Sequence, residues 1–165
     1  MPTSPTGQTS ESLMASLYET DFYAWTQEQA SLLRHRQWRQ LDLTNLIEEI
    51  ESLGRKERQE LRNRLSLLIG HLLKWEYQPE KRSRSWLATI RVQRREVLQL
   101  LKDNPSLKSY LEEALPEAYE NGRDLASGDT NLALSTFPKN CAYGLEESLS
   151  DRFYPGKPAT DELMG

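Results

Sequence analysis

Cysteine is nearly absent from this sequence, because Cys141 is the single cysteine among 165 residues. A lone thiol cannot form a disulfide within the chain, so the fold does not depend on oxidation. Proteins of this composition suit a reducing compartment. We therefore expect a cytoplasmic protein.

Long apolar runs are also missing. The longest candidate, residues 65–73, is interrupted by Ser66, Gly70 and His71 and falls short of the roughly 18 apolar residues that a membrane helix needs. The first residues are rich in Pro, Ser, Thr and Gly and lack the basic start and apolar centre of a signal peptide. We expect no membrane span, a disordered tail over residues 1–17 and a frayed tail over residues 156–165.

Runs of β-branched residues, from which strands are commonly built, are scarce as well. Apolar residues instead recur at the three- and four-residue spacing of one helix face. We therefore predict an all-α protein, in which residues 18–155 form a single-domain helical bundle of about five to six helices. The predicted helices cover residues 21–37, 42–53, 55–77, 83–103, 106–127 and 144–151.

Four residues decide where these helices begin and break. Asp21 and Asp42 are the predicted N-caps of the first two helices, since a short carboxylate side chain accepts from free amides. Gly54 separates the second helix from the third, and the two segments form one long helix if glycine is tolerated there. Pro116 should break the fifth helix, because its ring displaces the preceding turn.

The net charge of −4 conceals an uneven distribution. Residues 1–54 carry 3 basic and 8 acidic side chains, residues 55–95 carry 12 and 4, and residues 96–165 carry 6 and 13. One interpretation is internal compensation, in which basic helices pack beside acidic ones. The other is a basic surface for an anionic partner or a nucleic acid.

Bulky aromatic and basic side chains concentrate where the third predicted helix turns into the fourth. We call this the binding elbow, and its residues are His71, Trp75, Gln78, Arg82, Arg84 and Trp86. Paired arginines there could bind a phosphate or a carboxylate of a partner. The alternative is a structural junction that satisfies the backbone groups freed by Pro79 and packs two indoles.

We expect neither a metal nor a cofactor. A metal site in a helical bundle usually uses histidines that follow a glutamate by three residues, but Leu32 and Leu68 occupy that position before His35 and His71. Cys141 and His71 could form a nucleophile and its base only if the fold brought them together. A lone cysteine in a loop is more often a packing residue.

A basic stripe follows the elbow. Arg84, Arg91 and Arg95 share one helix side by their seven- and four-residue spacing, with Arg94 adjacent. A nucleic acid is one ligand for such a stripe. The acidic net charge and the lack of a recognised nucleic-acid motif weaken that interpretation.

The order of elements and several local strings resemble the domain of unknown function 29 family, a group of uncharacterised helical bacterial proteins. The resemblance covers about residues 18–155 and implies a helical fold, without implying an activity or a catalytic residue. The strings that carry it are residues 18–33, 41–54, 71–90, 104–107 and 137–143.

Three functions stay open. The first is a non-enzymatic protein-interaction module, with the elbow and the basic helix on an acidic protein segment or a neighbouring subunit. The second is an enzyme that acts on a phosphate-bearing or nucleic-acid substrate through His71, Arg82 and Arg84. The third is nucleic-acid binding through Arg84, Arg91 and Arg95.

Overall fold

The computed structural model of the chain describes residues 17–165. Over these residues the chain contains helices and no strand, which confirms the predicted all-α class. The predicted N-terminal tail lies outside the described residues except for residue 17. Residues 17–20 are helical, and the α-helices that follow are α1 (Phe22–Arg34), α2 (Leu43–Tyr77), α3 (Arg84–Asp103), α4 (Leu111–Thr130), α5 (Leu145–Leu149) and α6 (Asp161–Met164).

The structure differs from the sequence prediction at two helix boundaries. α2 runs through Gly54 as one helix of 35 residues, so glycine is tolerated there. The predicted break at Pro116 is wrong, because Pro116 lies inside α4. It stands in the second turn, where its missing N–H leaves only the carbonyl of Glu112 without an intrahelical partner. The irregular backbone falls earlier, in a 3-10 helix over Pro105–Tyr110.

The chain divides into two compact units after Arg55. In the first unit, Asp21 caps α1 as predicted by accepting from the amide of Ala24 at 3.0 Å. Asp42 directly precedes α2, and its carboxylate accepts from the indole N–H of the buried Trp25 at 3.0 Å. Gln29, buried in the apolar stripe of α1, accepts from the amide of Asp42 at 2.9 Å. These bonds join α1 to the start of α2.

The second unit, from Lys56 onward, has its core between α2, α3 and α4. Its fully buried side chains include Leu61, Leu65, Leu68, Trp75, Ile90 and Val97. α2 and α4 approach closely at a pair of glycines. A Cβ built on Gly122 would lie 2.9 Å from Cγ2 of Ile69 and 3.0 Å from the amide nitrogen of Gly70.

The predicted frayed tail, residues 156–165, contains α6. Thr160 caps this short helix by accepting from the amide of Leu163 at 3.3 Å. Leu163 and Met164 are half-buried and pack against the core of the second unit. Across the described part of the chain, none of the helices has the length and apolarity needed to cross a membrane.

The glycine crossing gives the first prediction. Gly122→Ala should lower the free energy of unfolding by about 1–3 kcal/mol, because the new methyl group has no room between the two helices. Gly128→Ala is the matched control in the same helix, since a Cβ there meets nothing within 4 Å. That control should be neutral or stabilise by up to about 1 kcal/mol. Urea denaturation measures both, and equal midpoints would contradict a tight crossing.

Candidate functional site

The binding elbow forms where the sequence predicts it, between the end of α2 and the start of α3. Pro79–Lys81 form a 3-10 turn directly after Gln78. Ser83 then caps α3 by accepting from the amide of Trp86 at 3.2 Å. All six elbow residues therefore lie within two helix ends and one short turn.

Two elbow residues serve internal packing. Trp75 is completely buried, and its ring centroid lies 5.4 Å from that of Tyr154. Gln78 is buried too and donates from Nε2 to the carbonyl of Thr130 at the end of α4, at 3.4 Å. Neither side chain presents a surface to a partner.

Arg82 is also engaged inside the unit. Its Nε donates to the carbonyl of Trp75 at 2.7 Å, and its two terminal nitrogens donate to the carbonyls of Lys157 and Pro155 at 2.6 and 3.3 Å. The guanidinium lies 4.8 Å from the centroid of the Trp75 ring. Partial burial lowers the pKa of Arg82. Arg82 thus ties the end of α2 to the C-terminal segment.

His71 lies half-buried on α2, away from the elbow turn. Its Nδ1 is 2.9 Å from the carbonyl of Leu67, which can only accept, so Nδ1 carries the proton. Burial lowers the pKa of His71, and the neighbouring charge of Lys74 lowers it further, against opposing effects of the Leu67 carbonyl and Asp129. The neutral imidazole therefore dominates at neutral pH.

Trp86 belongs to a charge contact that the sequence did not reveal. Lys74 forms an ion pair with Asp129 at 2.9 Å, and its ammonium lies 4.5 Å from the centroid of the Trp86 ring. Lys74 is almost completely buried. The half-buried indole of Trp86 therefore supports a buried cation within the unit.

The exposed arginines lie along α3. We call Arg84, Arg91 and Arg95 the arginine face, and all three side chains are exposed as their spacing predicts. Arg84 donates to the carbonyl of Glu162 at 3.5 Å, and Arg91 donates to that of Met164 at 3.3 Å. The face thus contacts backbone carbonyls of α6.

Arg94, which the sequence places merely beside this stripe, points inward instead. It is 3% exposed and donates to the carbonyls of Ser148 and Phe153, while its guanidinium lies 5.0 Å from the Tyr154 ring centroid. Burial lowers its pKa. A signal for this was available, because residues 90, 94, 97 and 101 follow the spacing of one buried helix face.

A cleft of about 650 Å³ opens beside the arginine face, between α3 and α5. Arginines and leucines dominate its walls, with Asp151 as its one acidic group. Its lining residues are Arg91, Arg94, Arg95, Leu98, Leu149, Ser150 and Asp151. Such a wall combines cations with apolar contact area.

Charge compensation differs between α2 and the segment that follows it. On α2, Arg62 pairs with Glu117 at 2.9 Å, and Arg64 pairs with Glu60 at 2.8 Å. Within residues 17–165, by contrast, none of the five arginines from residue 82 to residue 95 forms an ion pair with a carboxylate. Internal compensation therefore describes α2 and does not describe the arginines of α3.

Cys141 has the features of a packing residue. It is half-buried, and its sulfur contacts the carbonyl of Tyr143 at 3.1 Å. Burial raises the pKa of its thiol, which keeps the thiolate fraction small at neutral pH.

The sequence strings suggested a family, and a family model confirms it. The chain belongs to the family described as "Domain of unknown function DUF29", whose model matches residues 17–154. No curated protein matches the chain, and no solved structure matches it either. The chain is thus a helical member of a family of unknown function, and the match ends one residue before Pro155.

The contacts of Arg82 give the second prediction. Arg82→Ala should lower the free energy of unfolding by roughly 2–4 kcal/mol, because three carbonyls lose a charged donor. Arg84→Ala, on the same elbow but exposed, should change it by less than about 0.5 kcal/mol. Thermal and urea denaturation measure both variants. A stable Arg82→Ala protein would show that the three hydrogen bonds contribute little.

The lowered pKa of His71 gives the third prediction. Since the unfolded chain binds this proton more readily, the stabilising effect of the neutral imidazole is present above the ordinary histidine pKa of 6.5 and is lost as pH falls through 6.5 toward the lower folded value. Wild type should therefore lose more stability than His71→Gln between about pH 8 and about pH 5. His35→Gln, at an exposed histidine, is the control. Parallel pH profiles for all three proteins would contradict the prediction.

Proposed function

We propose that the protein is a non-enzymatic interaction module that binds an acidic segment of another protein on the arginine face. The observation that carries this proposal is the missing compensation on α3. Its three exposed guanidinium groups, those of Arg84, Arg91 and Arg95, form no ion pair with a carboxylate within the described residues, although acidic side chains elsewhere in the unit pair with the cations of α2.

The chain's own α6 shows that a short backbone segment packs against part of the arginine face. Its sequence, Asp161–Met164, is two acidic residues followed by two apolar ones, and it lies beside Arg84 and Arg91. The arginines donate to its carbonyls, while the carboxylates of Asp161 and Glu162 stay exposed. A partner segment of the same character, placed in the neighbouring cleft, would bring carboxylates to Arg91 and Arg95.

The cleft walls favour a segment that is both acidic and apolar. Leu98 and Leu149 supply apolar contact area next to the two exposed guanidinium groups. Asp151 disfavours a ligand with dense negative charge such as a nucleic-acid backbone. The proposed ligand is therefore a peptide with spaced carboxylates and at least one large apolar side chain.

The enzyme alternative requires His71, Arg82 and Arg84 to face one substrate. The nitrogens of Arg82 are engaged by three backbone carbonyls, and the charged groups that act on His71 are Lys74 and Asp129. Of the six elbow residues, only Arg84 belongs to the arginine face. The proposed binding surface is therefore the exposed side of α3 and not the elbow turn.

Peptide binding tests the proposal and gives the fourth prediction. A short synthetic peptide that repeats the order Asp-Glu-Leu-Met should bind wild type, and Arg91→Ala/Arg95→Ala should weaken its binding about tenfold or more, because two charge-assisted contacts are lost. Binding should also weaken with added salt. Fluorescence anisotropy of the labelled peptide measures both effects.

The matched control removes two exposed cations elsewhere, in Lys102→Ala/Lys108→Ala. That variant should bind the peptide as wild type does. Equal losses in the two double variants would indicate nonspecific attraction and contradict the proposal. Tighter binding of a single-stranded RNA oligonucleotide than of the peptide would support the nucleic-acid alternative instead.

A further inference from the structure

An exposed apolar stripe runs along the first part of α2. Its four large side chains, at spacings of four, three and three residues, are between 54% and 66% exposed. They are Leu43, Ile47, Ile50 and Leu53. Four aliphatic side chains so exposed on one helix form the kind of patch that marks an interaction site rather than the scattered leucines of an ordinary surface. We call it the α2 stripe.

Gly54 lies at the end of the α2 stripe and adds a second observation. It stands inside a helix, where glycine costs about 1 kcal/mol relative to alanine, and a Cβ built on it meets nothing within 4 Å. No packing within the described residues therefore accounts for it. Gly70 shows what glycine does further along the same helix, since it allows the close approach of Gly122 in α4. Gly54 therefore leaves the helix backbone open to solvent at this end of the α2 stripe.

The charges beside the α2 stripe are acidic. Between residues 43 and 54 the helix carries Glu48, Glu49 and Glu51 and no basic residue. Arg55 bonds Glu48 at 2.6 Å and lies 4.0 Å from Glu51, and Tyr18 donates to Glu49. At about 100° per residue, Glu51 borders the stripe beside Ile47, whereas Glu48 lies on the far side of the helix. The close contact of Arg55 goes to Glu48, so Glu51 keeps much of its negative charge at the border.

We propose that the α2 stripe is a second docking surface, which binds an amphipathic helix of another protein with lysine or arginine beside its apolar side chains. The apolar side chains fit a helix partner, and the glutamates select basic flanks by charge complementarity. A second copy of the chain fits less well. In an antiparallel two-fold pairing centred on the stripe, Glu51 of one copy would lie near Glu51 of the other, and like charges would oppose each other.

This surface is independent of the arginine face, whose proposed ligand has the opposite charge. The probes are two synthetic helical peptides with the same leucine stripe, one flanked by lysines and the other by glutamates. Wild type should bind the lysine-flanked peptide about tenfold or more tightly than the glutamate-flanked one. Glu51→Lys should remove that preference, which localises binding to this part of α2.

Ile47→Asp and Ile50→Asp should each weaken binding of the lysine-flanked peptide about tenfold or more, because an apolar contact is replaced by a charge. Leu134→Asp, at an exposed leucine outside α2, is the matched control and should bind as wild type does. Circular dichroism and thermal melting verify that each variant is folded. The proposal is overturned by undetectable binding, by equal binding of the two peptides, or by a preference that survives the charge reversal. Sedimentation of wild type as a dimer that Ile50→Asp dissociates would also overturn it in favour of self-association.

Discussion

The close approach of Gly70 and Gly122 is the constraint on which the second unit depends. Because neither residue has a side chain, α2 and α4 come near enough for their backbones to touch. Pairs of residues along the two helices then follow in order: Arg62 with Glu117, Lys74 with Asp129 and Gln78 with Thr130. This order shows that α2 and α4 run in the same direction. A larger side chain at either glycine would separate all three pairs.

That parallel arrangement places the end of α4 beside the end of α2. Lys74 can therefore reach Asp129 while its ammonium contacts Trp86. Carboxylates of α4 compensate the cations of α2, and the arginines of α3 obtain no such partner from α4. The inward arginine, Arg94, and the elbow arginine, Arg82, meet backbone carbonyls of the C-terminal segment instead. Carbonyls satisfy the hydrogen-bond donors of a guanidinium without cancelling its charge.

The sequence predicted the elements whose cause is local. Asp21 and Ser83 cap the helices that they were expected to start, and the three- and four-residue spacing located α1, α3 and most of α2. The predicted break at Pro116 was wrong because α4 tolerates the one hydrogen bond that this proline removes, and the irregular backbone falls in the 3-10 helix before α4. Local spacing cannot supply a boundary that a preceding turn determines.

The sequence predicted which residues gather at the candidate site, but it predicted only part of what each of them does there. The density of Trp75, Gln78 and Arg82 marked the elbow, and these residues do gather there, but their contacts are internal. Two of the three partners of Arg82 lie more than seventy residues further along the chain, at Pro155 and Lys157. Helical spacing cannot connect such distant segments. It can indicate the helix face on which a residue lies, but not which later segment covers that face.

The arginines of this protein have two different roles. For that reason exposed, unpaired charge is a better guide to the proposed binding surface than the density of aromatic and basic residues. A guanidinium that holds backbone carbonyls together is part of the fold, and removing it breaks the fold before it affects any partner. An exposed guanidinium without a carboxylate contributes little to folding, yet its field acts on anything that approaches within a Debye length, about 8–10 Å at physiological salt. Arg95 belongs to the second kind and Arg82 to the first, although both are arginines in the same basic segment. Glu51, beside the α2 stripe, shares the guanidinium of Arg55 with Glu48 and so keeps part of its charge. The two proposed surfaces would therefore attract ligands of opposite sign, and one ligand chemistry would not serve both.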